Sequence, residues 1–307
     1  MAFESFENRL RKRAKHLAKF AKKWPTNAYR IYDRDMPEFP YLIDRYNDAI
    51  YIQEFLSRKK KTKTDVAQVT QIVSDVTDVG LDRIVYAVRK RGDGAARYAN
   101  GFDAVVETMA EESEYKFEIR IGEHIDAGLF CDHRALRRQV ATEVDAEKTA
   151  LNLFAYTGSF SVFLAGAGAV VTTVDLSNTY LEWARRNFEH NEIAHEHHRF
   201  ERSDVTRFLA QEYKTDARYD LIVLDPPTYS KSKKMNTDFD VQRDHAALIV
   251  QAVRLLKPEG VLYFSNNFRG FALAEKSLAK LEIDEITQST KSEDFPNNSH
   301  RAWRITR

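Results

Sequence analysis

The stretch VLDPPTYSKSKK, residues 223–234, brings together an acid, two consecutive prolines, an aromatic ring and three lysines. Each proline fixes φ at about −65° and removes a backbone amide donor. The carboxylate of Asp225 and the nearby carbonyls therefore remain as acceptors, with no amide of Pro226 or Pro227 to compete with them. Such a cluster suits a reaction in which positive charge must be met at one point. The apolar run Leu221–Leu224 predicts that Asp225 leaves the end of a strand. The lysines could equally be a solvated loop.

The elements that must position this acid follow a repeating grammar from residue 149 onward. Apolar strands are expected at 150–156, 169–177, 219–227 and 260–267, and shorter ones at 198–205 and 302–306. Helices are expected at 178–191, 206–213, 239–256 and 273–281. Continuous apolar strands alternating with amphipathic helices predict a mostly parallel α/β sheet covered on both faces. Ligands of such sheets bind outside the carboxyl ends of the strands. That rule selects Tyr156–Phe160, Asp175–Ser177, Ser203–Val205 and Asp225–Tyr229.

The first turn, YTGSFS, has one glycine where a dinucleotide site carries three to approach a pyrophosphate. S-adenosylmethionine has no phosphate, and Gly158 suffices for a close approach of the backbone. Asp175 is placed to accept both ribose hydroxyls, although NAD sites share that acid. Asp204 is placed to accept the adenine amino group, with the amide of Val205 facing the ring. Each acid alone could be a chance loop residue. A D-P-P exit from the fourth strand, the signature of amino- and nucleobase-methylating enzymes, decides for S-adenosylmethionine.

Upstream lies a different region. Residues 1–125 are read as a small α+β RNA-binding or substrate domain and 126–307 as the S-adenosylmethionine-dependent methyltransferase domain. Net charge is +1, yet residues 1–30 hold nine Lys/Arg against Glu4 and Glu7, so the remainder carries −6. Phe6, Leu10, Ala14, Leu17, Ala21 and Trp24 recur at helical spacing, which turns the basic residues onto the other faces. Those faces are either simply solvated or track phosphates. The loop SRKKKTKT, 57–64, adds a second cationic patch. A single Cys131 excludes an internal disulfide and a multi-cysteine metal site. His195, His197 and His198 read as a solvated loop, so no metal is expected. No apolar run reaches the roughly 20 residues of a membrane span, and a cytoplasmic protein is expected.

The segments GLFCDHR (128–134), LNLFAYTGSFSV (151–162), TTVDLSNTYLEWARRN (172–187), DPPTYSKSKKM (225–235), FDVQRDHAALI (239–249) and FSNNFRGF (264–271) occur in this order. Together with FENRLRK, YRIYDRDMPEFP and HRAWRI, they resemble the C-terminal, guanine-N7 half of the bifunctional bacterial 23S rRNA guanine methyltransferases. The likeness runs over nearly the whole chain. It implies a Rossmann-like class I methyltransferase fold with S-adenosylmethionine as donor. It also implies that Phe130, Asp132 and Arg134 lie near the cofactor's methionine end, with Tyr156 and Gly158 in the first turn. Asp175 and Ser177 would be at the ribose, Asp204 and Val205 at the adenine, and Asp225, Pro226 and Pro227 at the transferred methyl. The upstream THUMP domain and second methyltransferase of that family have no counterpart here, so a separate targeting partner could replace them. The RNA would be 23S rRNA or its early assembly particle.

Guanine N7 carries an in-plane lone pair and no proton, so its methylation needs alignment and electrostatics without a general base. The base must be unpaired or splayed out, because the A-form major groove is deep and narrow. Tyr229 is placed to stack on it, Lys231, Lys233 and Lys234 to hold flanking phosphates, and Asn266 and Arg269 to donate to O6. Methylation at guanine N2 normally follows D-P-P directly with an aromatic, where this chain has Thr228. Methylation at cytosine C5 needs a cysteine nucleophile, for which Cys131 is the only candidate. A non-catalytic rRNA assembly factor would not need the intact set of acids.

Overall fold

The computed structural model describes residues 2–56, 65–90, 105–231, 238–297 and 299–307. The chain divides into two compact units, Met1–Cys131 with Glu293–Asn297, and Asp132–Ser292 with Asn298–Arg307.

In the first unit, α1 (Ala2–Lys23) precedes β1 (Ala28–Asp33), β2 (Tyr41–Tyr46) and β3 (Ala49–Leu56). Then come α2 (Val66–Thr77), β4 (Ile84–Lys90) and a hairpin of β5 (Val106–Glu112) and β6 (Tyr115–Ile121). The four-stranded sheet runs β1-β2-β3-β4, antiparallel except for the β3/β4 pair that α2 connects. α1 buries Phe6, Leu10, Leu17, Phe20 and Ala21 against this sheet and against Val69 and Val73 of α2. The apolar spacing read in the sequence thus selects the buried face, each large side chain contributing about 1.5–3 kcal/mol. The arginines of α1 are held locally: Arg9 and Arg13 reach Asp35, and Arg11 reaches Glu7. The returning segment is tied in as well, with Asp294 accepting from the Arg30 amide at 3.3 Å.

The second unit begins with α3 (Arg134–Ala141), β7 (Thr149–Leu153), α4 (Ser159–Gly166), β8 (Val170–Asp175) and α5 (Asn178–His190). It continues with β9 (Arg199–Arg202), α6 (Val205–Glu212), β10 (Tyr219–Leu224) and the short hairpin of β11 (Tyr229–Ser230) and β12 (Phe239–Asp240). It ends with α7 (Val241–Val253), β13 (Leu256–Asn266), β14 (Glu282–Glu285) and β15 (Arg301–Thr306). The seven-stranded sheet is ordered β14-β15-β13-β10-β7-β8-β9. The pairs β13/β10, β10/β7, β7/β8 and β8/β9 are parallel, and β15 enters antiparallel between β13 and β14. This is the expected α/β, Rossmann-like sheet with a smaller unit before it. Strand order reverses at β7, which opens a crevice at the carboxyl ends of β7 and β10.

Two local expectations differ. Residues 273–281, read as a helix, form only a 3-10 turn at Glu275–Leu278, with Leu278 its one buried residue. The segment is too short to repay helix nucleation, and its entry is held by a side chain when the Ala274 amide donates to His245 Nε2 at 3.0 Å. His198, read as part of a solvated loop, accepts from the Val171 amide at 3.1 Å and packs on Phe188. No helix among the described residues is long and apolar enough to cross a membrane.

Candidate active site

Four strand ends of the second unit build the site. After β7 the backbone turns through three left-handed residues, Phe154 (φ 56°), Tyr156 (φ 51°) and Gly158 (φ 75°). Non-glycine residues pay about 1–2 kcal/mol each for that conformation, so the turn must be held from outside. Asp175, at the end of β8, accepts from the Tyr156 amide at 2.9 Å with one oxygen and from the Ser177 amide at 2.8 Å with the other. Asn187 of α5 donates to the Thr157 carbonyl at 2.9 Å.

Gly158 caps α4, and a Cβ built there would lie 2.7 Å from the Cβ of Ala184 on α5. The glycine is therefore demanded by helix packing and by its φ, beyond any approach to a ligand. Gly158→Ala is expected to lower stability by about 2–4 kcal/mol through strain and overpacking. Thermal unfolding would check this, and an unchanged midpoint would mean that α5 yields.

Asp175 keeps acceptor capacity beyond these two bonds. Burial pushes its carboxyl above the ordinary range, although the amides of Ser177, Tyr156 and Leu176 oppose the shift. Asp204 caps α6, accepting from the Arg207 amide at 3.0 Å and from the Thr206 hydroxyl through the same oxygen. Its second oxygen and the first amides of α6, beginning at Val205, are what remain for a ring edge. Ser177 caps α5 through its hydroxyl, which accepts from Tyr180 at 3.3 Å.

Asp225 follows β10 with its side chain 23% exposed. Ser265, fully buried on the adjacent β13, donates to its Oδ1 at 2.7 Å. Its Oδ2 lies 3.5 Å from His133 Nε2. Burial favours the neutral acid here, but the His133 imidazolium and the Ser265 hydroxyl outweigh it and hold the carboxyl below its ordinary value. Pro226 is buried and Pro227 exposed. Thr228 donates to Asn267 Oδ1 at 2.7 Å, joining the loops that leave β10 and β13.

Asp132 lies on the other side of His133, 3.3 Å from its Nδ1. Arg134 is buried and donates to Ser292 at 3.0 Å. Asp132, His133 and His300 bring three possible ligand atoms within 4.8 Å of one another. The two rings are stacked at 24°, however, so their in-plane lone pairs run side by side and do not converge on one ion. The arrangement suits ion pairing better than coordination.

The remaining expected residues are spread more widely. The Tyr229 ring is 46% exposed and its hydroxyl donates to Asp238 at 2.6 Å. Lys231 and Arg269 are exposed. Lys233 and Lys234 lie outside the described residues, as do Ser57–Thr64. Asn266 is buried at the end of β13; its Oδ1 accepts from Phe268, while its Nδ2 has no hydrogen-bond partner among the described residues. Phe130 and Cys131 fall in the first unit, the phenyl exposed and the thiol buried. Sequence reasoning missed His300, Ser265 and Asn187, and took in His133 only as part of the Asp132–Arg134 segment, with no role of its own. The two histidines do sit inside the GLFCDHR and HRAWRI segments, so the signal was present.

The residues fit S-adenosylmethionine: Asp175 ends β8 as a carboxylate acceptor, and the first turn carries a single glycine and not the three of a pyrophosphate site. A family model described as S-adenosylmethionine-dependent methyltransferase matches residues 56–277. The chain belongs to this family. Among its relatives, this methyltransferase is 44% identical to ribosomal RNA large subunit methyltransferase K of Neisseria meningitidis, covering 98% of this chain and 86% of that one. It is 41% identical to ribosomal RNA large subunit methyltransferase K/L of Magnetococcus marinus, covering 99% of this chain but 43% of that protein. The chain thus spans less than half of the K/L relative. In fold the methyltransferase is similar to an S-adenosylmethionine-dependent methyltransferase from Streptococcus mutans, with a TM-score of 0.76 over 98% of this chain and 81% of that one at 23% identity. A similar structure, at TM-score 0.75, 23% identity and the same coverage, was solved with SAH.

Proposed function

We propose that the protein methylates large-subunit 23S rRNA at guanine N7, within domain V, and that the ribosomal RNA substrate is shared with its K and K/L relatives. The observation that carries the choice of atom is the setting of Asp225: its Oδ1 accepts from Ser265 at 2.7 Å, its Oδ2 faces His133 Nε2 at 3.5 Å, and these neighbours lower its carboxyl below the ordinary value. That setting favours a role as a fixed charge over a role as a base. An exocyclic amine such as guanine N2 must shed a proton on methylation, whereas N7 has none to shed. Bound S-adenosylmethionine supplies an electrophilic methyl on a sulfonium, and the acceptor nitrogen gains the positive charge that the sulfur loses. Asp225 is then an electrostatic and positioning group for that charge. The buried Asn266 amide favours an acceptor atom such as O6 on the base, and the exposed Tyr229 ring favours stacking. Reduction with borohydride and aniline cleavage of treated 23S rRNA would locate a 7-methylguanine, and a methyl group without cleavage would send the reading to N2 or C5.

The first unit supplies the RNA-binding surface in this reading. Lys12, Lys15, Lys19, Lys22 and Lys23 are exposed and have no ion-pair partner among the described residues. On a helical wheel they fall within an arc of about 100°, opposite the buried face. Changing Lys12, Lys15, Lys19 and Lys22 to glutamate is expected to weaken RNA binding and flatten the slope of log K against log salt by about 0.7–0.9 for each phosphate no longer neutralised. An unchanged slope in filter binding would return the stripe to a solvated face. The cytoplasm, where rRNA is made in bacteria, is the expected location.

A further inference from the structure

Both nitrogens of His133 face carboxylates, Nδ1 at 3.3 Å from Asp132 Oδ1 and Nε2 at 3.5 Å from Asp225 Oδ2. An ionised carboxylate has no proton to donate, and a neutral imidazole has a single N–H. Either neutral tautomer would aim a lone pair at an anion, and His133 is only 5% exposed. Nε2 makes no hydrogen bond to Asp225 at that distance, so its contact with Asp225 is electrostatic, and both contacts are attractive only with the ring as an imidazolium. Its plane is also fixed, by stacking on His300 at 4.5 Å and by the edge of Phe160 at 5.9 Å. His300 is anchored in turn: its Nε2 is 3.2 Å from Thr290 Oγ1, and that hydroxyl donates to the Ile286 carbonyl at 3.1 Å. His300 Nδ1 faces the second oxygen of Asp132 at 3.8 Å.

We propose that His133 is a positioning residue for methyl transfer: clamped between Asp132 and Asp225, it keeps the Asp225 carboxylate ionised and in one rotamer, with His300 and Thr290 as the backstop. The inference deepens the reading of Asp225 given above and rests on it. Two carboxylates sharing so small a site would repel, and without the cation between them one would take up a proton near neutral pH. With His133 charged, Asp132, His133 and Asp225 together keep one net negative charge. That charge is available to the sulfonium before transfer and to the methylated base after it. Among the groups that face the clamp are Asp132 before α3, Asp225 and Ser265 at the ends of β10 and β13, and His300 before β15. Burial opposes a charged ring, yet Asp225 and Asp132 carry His133 up to about 10. Burial likewise opposes a charged Asp132, which the two histidines hold well below the usual carboxylate range.

The first test needs no RNA. In the full chain with labelled histidine, His133 should show both ring nitrogens protonated at pH 8, and its titration should drop by about 1 unit or more in Asp225→Asn. A His133 ring that is neutral at pH 8 overturns the proposal whichever RNA atom is methylated. In His133→Gln, which keeps a donor but no charge, the acid limb of the methyl-transfer rate should move up by about 1 pH unit or more. SAH affinity by calorimetry at pH 8 should stay within about threefold. A uniform loss of rate with the limb unmoved, or a parallel loss of SAH binding, would make His133 merely structural. Should His133→Gln not fold, the wild-type titration still decides. Methylation at an atom other than N7 with the titration as described would refute the choice of atom and leave the clamp standing.

Discussion

Replacing Asp225 with asparagine is expected to slow methyl transfer by about 10²- to 10³-fold, the size of effect seen when one preorganised electrostatic group is removed from an active site. The amide is isosteric and can still accept from Ser265 Oγ, so the loop should keep its path. What disappears is the negative charge that the proposed mechanism sets against the methyl group. SAH affinity should change by no more than about threefold, because the product has lost the sulfonium charge that the acid serves. Single-turnover rates beside calorimetry separate the two effects. An equal loss of both would make Asp225 a cofactor ligand.

The second large effect is expected at Asp175. Its two oxygens hold the amides of Tyr156 and Ser177, and in the proposed reading their remaining acceptor capacity meets the ribose hydroxyls. Asp175→Ala removes both functions. Hydrogen bonds to a charged group contribute about 1.5–3 kcal/mol each, so SAH affinity should fall by at least about 100-fold. The left-handed turn at Phe154–Gly158 also loses a main restraint, and stability should fall with it. Asp175→Asn should be milder, since its one oxygen can still accept. Burial raises the Asp175 carboxyl, so SAH affinity should begin to weaken at a higher pH than an ordinary carboxylate would dictate. Calorimetry with SAH on both variants checks this, and an Asp175→Ala variant that still binds within tenfold would remove Asp175 from the ribose.

The clamp has its own pH signature in stability. His133 has a folded-state pKa raised to about 10, above its unfolded value. Its contribution is therefore fully present below about pH 6.5 and is lost as pH rises through about 10. Asp132 is lowered, so its contribution is present above the unfolded carboxylate range and is lost as pH falls through its own folded value. The melting temperature should fall from neutral pH toward pH 10 more steeply in the wild type than in His133→Gln.

The ends of β7, β8 and β10 were legible in the sequence because each follows a largely apolar run buried in the sheet, whereas β9, RFER at the sheet edge, was legible only from its place between two helices. Asp175, Asp204 and Asp225 could be placed from those strand ends, and Asp-Pro-Pro narrowed the chemistry. The clamp was not legible as a contact. His133 precedes α3 and His300 precedes β15, and they meet only because β15 inserts antiparallel beside β13. No local pattern encodes that insertion. β14 escaped notice for a simpler reason: EIDE is a mostly exposed edge strand with no apolar alternation. Gly158 was read as room for a ligand, whereas its near neighbour is Ala184, a residue of a later helix. The basic helix was half legible. Its buried face followed from spacing, but only the fold separates arginines tied to Asp35 and Glu7 from lysines left facing solvent.

In the proposed reaction this site methylates a ring nitrogen that has no proton to lose. Unmodified 23S rRNA should be incubated with the protein and deuteromethyl-labelled S-adenosylmethionine, digested to nucleosides and resolved by mass spectrometry against standards. Label in 7-methylguanosine, formed about 10²- to 10³-fold more slowly when Asp225→Asn replaces the wild type, is the predicted result. Label in N2-methylguanosine or 5-methylcytidine would contradict it.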